Sequence, residues 1–324
     1  MSHYKIVISD YFYPNLEQEY RIFKRLGKDI EVVDCTKIIP GGATTPEKLI
    51  PFVGDADALM TQFTGVDAQV IEAMRQCKVI AHYAVGMDII DIEAASRKGI
   101  KVANVPDYCI EEVANSAIGL ILDAMRKITL SRDLLLKGEF SMDTIQPMKR
   151  ISGTTLCLVG FGNIGRNVYA KARIFFGKVV VYDPYFKGQA DYPEVTFLPL
   201  EEALAQADAI SLHVPLTKTS QGLLGRAQFE HMKNGVVLVN TARGGLIDES
   251  ALLQALNSGK VGYAGLDVLA DDEYEHSVFL HHPHVCLTPH IAWNSDGSRD
   301  EIQRKTAENV VSALLDGRPT YCVN

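Results

Sequence analysis

The chain lacks a basic excess. Its 324 residues hold 32 Lys and Arg against 40 Asp and Glu, for a net charge of -8. Binding along a nucleic acid needs cations to neutralise phosphates, and an anionic membrane surface repels a chain of this sign, so neither is an expected partner. No run of about 18 apolar residues occurs, and no membrane span is expected. The opening MSHYKIVISD has no apolar core behind a positive charge; it reads as a strand entering a fold, not as a secretory signal. The six cysteines stand no closer than 32 positions (Cys77 to Cys109), so there is no CxxC pair for metal or redox work. Buried, reduced thiols in a cytoplasmic protein are expected. The cluster His281, His282 and His284 surrounds Pro283 in a polar loop, which breaks helical pairing, and no metal is expected there. Short repeats and low-complexity segments are absent too. What is present is an ordinary globular balance, 47% hydrophobic and 22% charged, at a length that favours two domains.

Apolar runs alternate with amphipathic stretches along the whole chain. KIVISD, EVVDC, DALMTQ, KVIAHY and IKVANV are short and β-branched, as suits parallel strands buried on both faces. Between them, Leu16–Leu26, Asp67–Arg75 and Ile92–Lys98 have helical spacing. The stretch Glu111–Lys127 predicts a long helix too apolar to lie on a surface. A polar stretch follows around Gly138–Gly153. The pattern then restarts with TTLCLVG, KVVVYD, DAISLHV, GVVLVNT and GYAGLDV, and closes on a helix over Arg299–Leu315. The expectation is an α/β protein of two doubly wound parallel-sheet domains.

The second half carries the stronger motifs. The run LCLV leads into Gly160-Phe161-Gly162-Asn163-Ile164-Gly165, and RNVYAKARIFF follows with helical spacing. Strand, glycine turn and helix in this order are the context a dinucleotide-binding fingerprint requires. Gly160 allows the tight turn, Gly162 lets a pyrophosphate approach, and Gly165 lets helix and strand pack closely. Free N–H groups at the helix start then meet the phosphates. Asp183, 18 positions after Gly165, ends the next strand. A carboxylate there accepts from the ribose hydroxyls and repels a 2′-phosphate, so NAD is the expected cofactor.

Three later strand ends carry chemical groups: Arg243 beside two glycines in VNTARGGLID, acids after GLDV, and His290 in LTPHIAW. A guanidinium fork suits a carboxylate. Ligands bind outside the carboxyl ends of strands in such sheets, so these groups can converge near a cofactor.

GFGNIG, YDP, LHVPLT, VNTARGGLIDE, GLDV and LTPHIAW, with YAVGMDIID and NVPDYCIEEVA earlier, resemble the D-isomer-specific 2-hydroxyacid dehydrogenase family. The likeness is nearest to the branch of glycerate/hydroxypyruvate dehydrogenases and C-terminal-binding-protein corepressors. The resemblance implies a Rossmann NAD-binding domain over 104–291, inserted in a flavodoxin-like substrate domain of 1–103 and 292–324. It implies a homodimer and an NAD-dependent oxidoreductase that interconverts a small D-2-hydroxy acid and its 2-oxo acid by hydride transfer. Arg243 would bind the carboxylate and His290 would give or take the proton. The family's acid, five residues after the Asp of the DV pair, falls on Asp272 where the family carries Glu; Glu273 is the neighbouring alternative. Val85, Gly86 and Trp293 are implied on the substrate side, with Ala84 where many members have glycine. On the cofactor side stand Gly160, Gly162, Asn163, Ile164, Gly165, Asp183, His213, Val214, Pro215, Thr241, Ala242, Arg243 and Asp267. Two rival readings are an NAD-sensing corepressor-like protein and a phosphoglycerate dehydrogenase. The latter would want an extra basic cluster near the substrate loop and usually a regulatory tail; neither is evident.

Overall fold

A computed structural model describes residues 3–27, 29–139, 141–271 and 273–324. Contacts divide the chain into two units, 1–108 with 295–324 and 109–294, so the second is inserted into the first along the sequence.

The first unit alternates strand and helix. In order come β1 (Tyr4–Ile8), α1 (Glu17–Phe23), β2 (Ile30–Asp34), α2 (Pro46–Val53), β3 (Ala58–Thr61), α3 (Ala68–Ala73), β4 (Val79–His82), α4 (Ile92–Arg97) and β5 (Lys101–Ala103). All strand pairs are parallel, in the order β2-β1-β3-β4-β5. That is the flavodoxin-like order. Every residue of β3 and β4 is buried, which accounts for their unalternated apolar sequence. Asp67 and Asp91 cap α3 and α4 by accepting from first-turn N–H groups.

The second unit opens with α5 (Ile110–Arg126) and α6 (Ile128–Leu136). The pattern of apolar residues predicts the first of these and misses the second. Lys127 separates them in a left-handed conformation, φ 53°, with no Gly or Pro to signal the break. There follow β6 (Thr155–Val159), α7 (Asn163–Ala172), β7 (Lys178–Tyr182), β8 (Thr196–Phe197), α8 (Leu200–Gln206), β9 (Ala209–Leu212), α9 (Arg226–His231), β10 (Val236–Asn240), α10 (Glu249–Asn257), β11 (Val261–Leu266) and β12 (Val285–Leu287). The seven strands run parallel in the order β12-β11-β10-β9-β6-β7-β8. Helices α5 and α7 cover one face over a core that includes Leu158, Val181 and Val239. Helices α8 to α10 cover the other, over Ile210, Leu238 and Ala264. The chain then returns to the first unit through α11 (Asp296–Asp316), capped by Ser295 and packed against α1 and β4.

All six cysteines are free; Cys35, Cys77, Cys109 and Cys157 are buried and Cys286 and Cys322 partly so. Among the described residues, no helix is long and apolar enough to cross a membrane.

Candidate active site

The order of the second sheet reverses between β6 and β9, and the crevice outside their carboxyl ends is where such folds bind ligands. The glycine turn occupies that point. Gly160 sits at φ 102°, and a Cβ on it would lie 2.6 Å from the carbonyl oxygen of His213, so the segments after β6 and β9 touch here. A Cβ on Gly165 would overlap the carbonyl of Gly160, which fixes how closely α7 lies on β6. Gly162 differs: no heavy atom lies within 4 Å of where its Cβ would be. The N–H groups of Asn163, Ile164 and Gly165 open α7 with no acceptor among the described residues, and the first turn carries no acid. Open space before a ten-residue helix with free N–H groups suits an anionic pyrophosphate. Phe161 anchors the turn: it is fully buried and meets Tyr169, Phe186, Tyr192 and Phe197 edge-on.

Asp183 follows β7. Its Oδ2 accepts from Phe161 N–H at 2.8 Å and its Oδ1 from the N–H groups of Tyr185 and Phe186 at 3.0 and 3.1 Å. The carboxylate thus binds the glycine turn to the β7 end, a positioning role beyond the one its spacing suggests. After β9, the Nε2 of His213 is buried without a hydrogen-bond partner, as is the Oγ1 of Thr241 after β10. Burial lowers the His213 pKa to about 4, so the ring is neutral at neutral pH. Val214 borders Gly160, and Pro215 is exposed with its carbonyl accepting from Ser220 Oγ. A buried unsatisfied polar atom costs about 1–3 kcal/mol. Two of them beside an open glycine turn and free helix N–H groups fit a bound dinucleotide.

The chemical strand ends lie further along the sheet. Asn240, fully buried at the end of β10, folds the next loop back on itself. Its Nδ2 donates to the carbonyl of Arg243 at 2.8 Å and its Oδ1 accepts from Ala242 N–H at 3.0 Å. The Arg243 guanidinium donates to the Ala242 carbonyl at 2.9 Å. A Cβ on Gly244 would collide with the backbone of Leu269, so the loops after β10 and β11 are in direct contact. Asp267 N–H donates to the Asn240 carbonyl at 2.9 Å and ties the two strand ends together.

The carboxylate of Asp267 is committed to the loop after β12. Oδ1 accepts from Thr288 Oγ1 at 2.6 Å and Ile291 N–H at 3.0 Å; Oδ2 accepts from Ala292 N–H at 2.9 Å. Burial raises its pKa, against the pull of these hydrogen bonds. His290 stands inside this loop at φ 51°, a left-handed conformation that non-glycine residues rarely hold and that clusters at functional sites. Trp293 Nε1 donates to the His290 carbonyl at 3.0 Å, and Ser116 of α5 donates to the carbonyl of Ala292 at 3.2 Å. Asp272 lies outside the described residues; Glu273 is exposed. Val85 and Gly86 belong to the first unit, in the turn after β4, where Asn104 Nδ2 donates to the Val85 carbonyl at 2.8 Å. Asn240, Thr288 and Phe161 are positioning residues that sequence reasoning did not single out. The only signal for each was its place beside a strand end.

A parallel sheet of this order, with this turn and these strand ends, defines a nicotinamide-dinucleotide oxidoreductase. The chain belongs to the D-isomer specific 2-hydroxyacid dehydrogenase family: the model of that family's NAD binding domain matches residues 118–292. It is similar to a hydroxypyruvate reductase of Thermotoga maritima, 38% identical over 274 residues, covering 83% of this chain and 87% of that one. It is 36% identical over 314 residues to a D-3-phosphoglycerate dehydrogenase of Methanocaldococcus jannaschii, covering 96% of this chain but spanning only 56% of that protein. Among solved structures, a glyoxylate reductase from Paecilomyes thermophila superposes with a TM-score of 0.87 at 28% identity, covering 100% of this chain and 99% of that one. The protein is an NAD-dependent oxidoreductase of D-2-hydroxy acids and 2-oxo acids, and a corepressor-like role is not favoured.

Proposed function

We propose that the chain reduces a small 2-oxo acid of the hydroxypyruvate or glyoxylate class, with Arg243 and His290 as its catalytic residues. The observation that carries this reading is the hydrogen bond from Asp267 N–H to the Asn240 carbonyl. It joins the strand end that presents Arg243 to the one that orders His290. The names of the hydroxypyruvate and glyoxylate reductases to which the chain is similar support the substrate class.

NAD(H), held by the Gly160–Gly165 turn, the start of α7 and the polar atoms of His213 and Thr241, supplies the hydride chemistry. The residues of the chain do the rest. The planar guanidinium of Arg243 grips the carboxylate and stabilises negative charge as it builds on the carbonyl oxygen. The His290 imidazolium gives its proton to that oxygen in reduction, and the neutral ring takes it back in oxidation. Asp272 is the proposed acid partner of His290. Asp183 favours NAD by repelling a 2′-phosphate. Ile128, Leu135 and Leu136 on α6 are 54–71% exposed, which supports a homodimer formed through this face. Six free cysteines support a cytoplasmic setting.

Arg243→Lys tests the reading. Lys keeps the charge but loses the fork. With NADH and either oxo acid, kcat/KM should fall by about 10²-fold, on the order of 3 kcal/mol, with NADH affinity unchanged. Near-normal kcat/KM would overturn the role of Arg243.

A further inference from the structure

The amino ends of β9, β10 and β11 line a half-open cavity of about 260 Å³, at the opposite end of the seven-stranded sheet from Arg243 and His290. Its walls include the apolar side chains of Met125, Val237 and Val261, and its polar groups include Lys127 and His284.

The charge of the cavity is positive. Asp208 enters its lining, but that carboxylate already accepts from Lys149 at 2.7 Å, Lys233 at 3.0 Å and Thr155 N–H at 3.0 Å. Two ammonium groups therefore face one carboxylate, and of the two Lys149 also lines the cavity. Lys127 adds a third, with no carboxylate paired to it among the described residues, and burial alone lowers its pKa. Lys127 and His284 both line the cavity.

His284 brings a second, independent observation. Its Nδ1 is buried without a hydrogen-bond partner among the described residues. The residue is fixed where it is: its N–H donates to His282 Nδ1 at 3.2 Å and its carbonyl accepts from Ala264 N–H at 2.8 Å. A buried unpartnered ring nitrogen asks for a neutral polar group, and a hydroxyl serves either tautomer because it both donates and accepts.

We propose that this basal cavity is a binding site for a small hydroxycarboxylate, with its carboxylate on Lys127, its hydroxyl on His284 Nδ1 and its carbon body on Met125, Val237 and Val261. Inorganic phosphate would answer the charge and leave the apolar walls wet. The site stands apart from the proposed catalytic residues and does not depend on their assignment.

L-lactate is the probe, titrated calorimetrically into the full chain saturated with NADH. One saturable site per chain is expected. Lys127→Asn removes the charge with a residue that tolerates a left-handed backbone. It should weaken binding by about tenfold or more, and His284→Leu should do the same. Arg243→Lys should leave the affinity unchanged. If His284→Leu fails to fold, Lys127→Asn decides alone. Absence of saturable binding overturns the proposal. So does loss of binding in Arg243→Lys, which would assign the site to the catalytic residues. Equal binding of phosphate, insensitive to His284→Leu, also overturns it and leaves a simple anion site.

Discussion

The backbone carbonyl of Asp267 accepts the N–H of His290 at 2.8 Å, while the Asp267 carboxylate holds the N–H groups of Ile291 and Ala292 at 3.0 and 2.9 Å. One residue, directly after β11, thus grips the turn that carries the imidazole from both sides. Left-handed backbone at a non-glycine residue costs about 1–2 kcal/mol, and the clustered bonds to Asp267 offset it. The ring is therefore held by the backbone before any partner of its side chain matters.

Asp267→Asn should loosen that turn. The amide offers one acceptor oxygen where two are used, and its NH2 would face an N–H donor. A buried donor left unsatisfied costs about 1–3 kcal/mol, so urea unfolding should show a loss of about 2 kcal/mol. Misplacement of His290 should lower kcat while NADH affinity stays near normal. An unchanged kcat in a destabilised variant would show that the turn orients His290 without the carboxylate.

Gly162 and Gly160 should respond differently to alanine. At Gly162 the new Cβ enters open space at φ -68°, a conformation any residue adopts. Stability should stay within about 0.5 kcal/mol, but the methyl intrudes where the pyrophosphate approaches, and the NADH Kd should rise by about tenfold or more. At Gly160 the Cβ meets φ 102° and the His213 carbonyl at 2.6 Å, so Gly160→Ala should lose roughly 1–3 kcal/mol of stability. Thermal melts and fluorescence titration with NADH separate the two effects. Normal NADH binding by Gly162→Ala would remove the pyrophosphate from this turn.

Much of this was legible in the residues. Unalternated strands such as β3 and β4 announce a parallel sheet because both of their faces are buried. The glycine turn is legible because Gly160 and Gly165 have steric reasons and Gly162 leaves open space before the helix. What stayed hidden depends on tertiary contacts. The break at Lys127 carries no turn residue: a lysine takes the left-handed conformation there, its N–H bonded to the carbonyls of Ala124 and Asp123. The two-residue β8 is too short to show a period. Asn240 and Thr288 look like ordinary polar ends of strands; only the fold shows that one shapes the Arg243 loop and the other binds Asp267. Asp267 itself follows the same rule: the family resemblance implies a cofactor contact, and only the fold shows its carboxylate accepting from Thr288, Ile291 and Ala292 in the His290 turn.

Asp183 should show two effects at once. As the acid proposed to face the ribose, it should give NADH a higher kcat/KM than NADPH, and Asp183→Ala should narrow that gap, mostly through weaker NADH binding. As the acceptor for Phe161, Tyr185 and Phe186 N–H groups, it should also support the fold, so the alanine variant should lose about 1–2 kcal/mol. Comparable kcat/KM for both cofactors in the native enzyme would overturn the first effect. Unchanged melting of the variant would overturn the second.

His213 should make the fold acid-sensitive. Burial lowers its pKa from the ordinary 6.5 to about 4 in the folded chain. Between these values the unfolded chain binds a proton that the folded chain refuses. Stability therefore rises with pH across this window and is lost as pH falls from 6.5 towards 4. Each unit corresponds to about 1.4 kcal/mol, so the loss at pH 4 reaches at most about 3 kcal/mol. It is an upper bound, because the residue is only partly buried while its Nε2 is sealed. The check is urea unfolding of the native chain and of His213→Asn at intervals from pH 7 to pH 4. The native chain should lose more stability than the variant on acidification, with the difference growing below pH 6.5. Parallel curves would mean that the ring is solvated, and the buried, unpartnered Nε2 could no longer be counted among the groups that fit a dinucleotide.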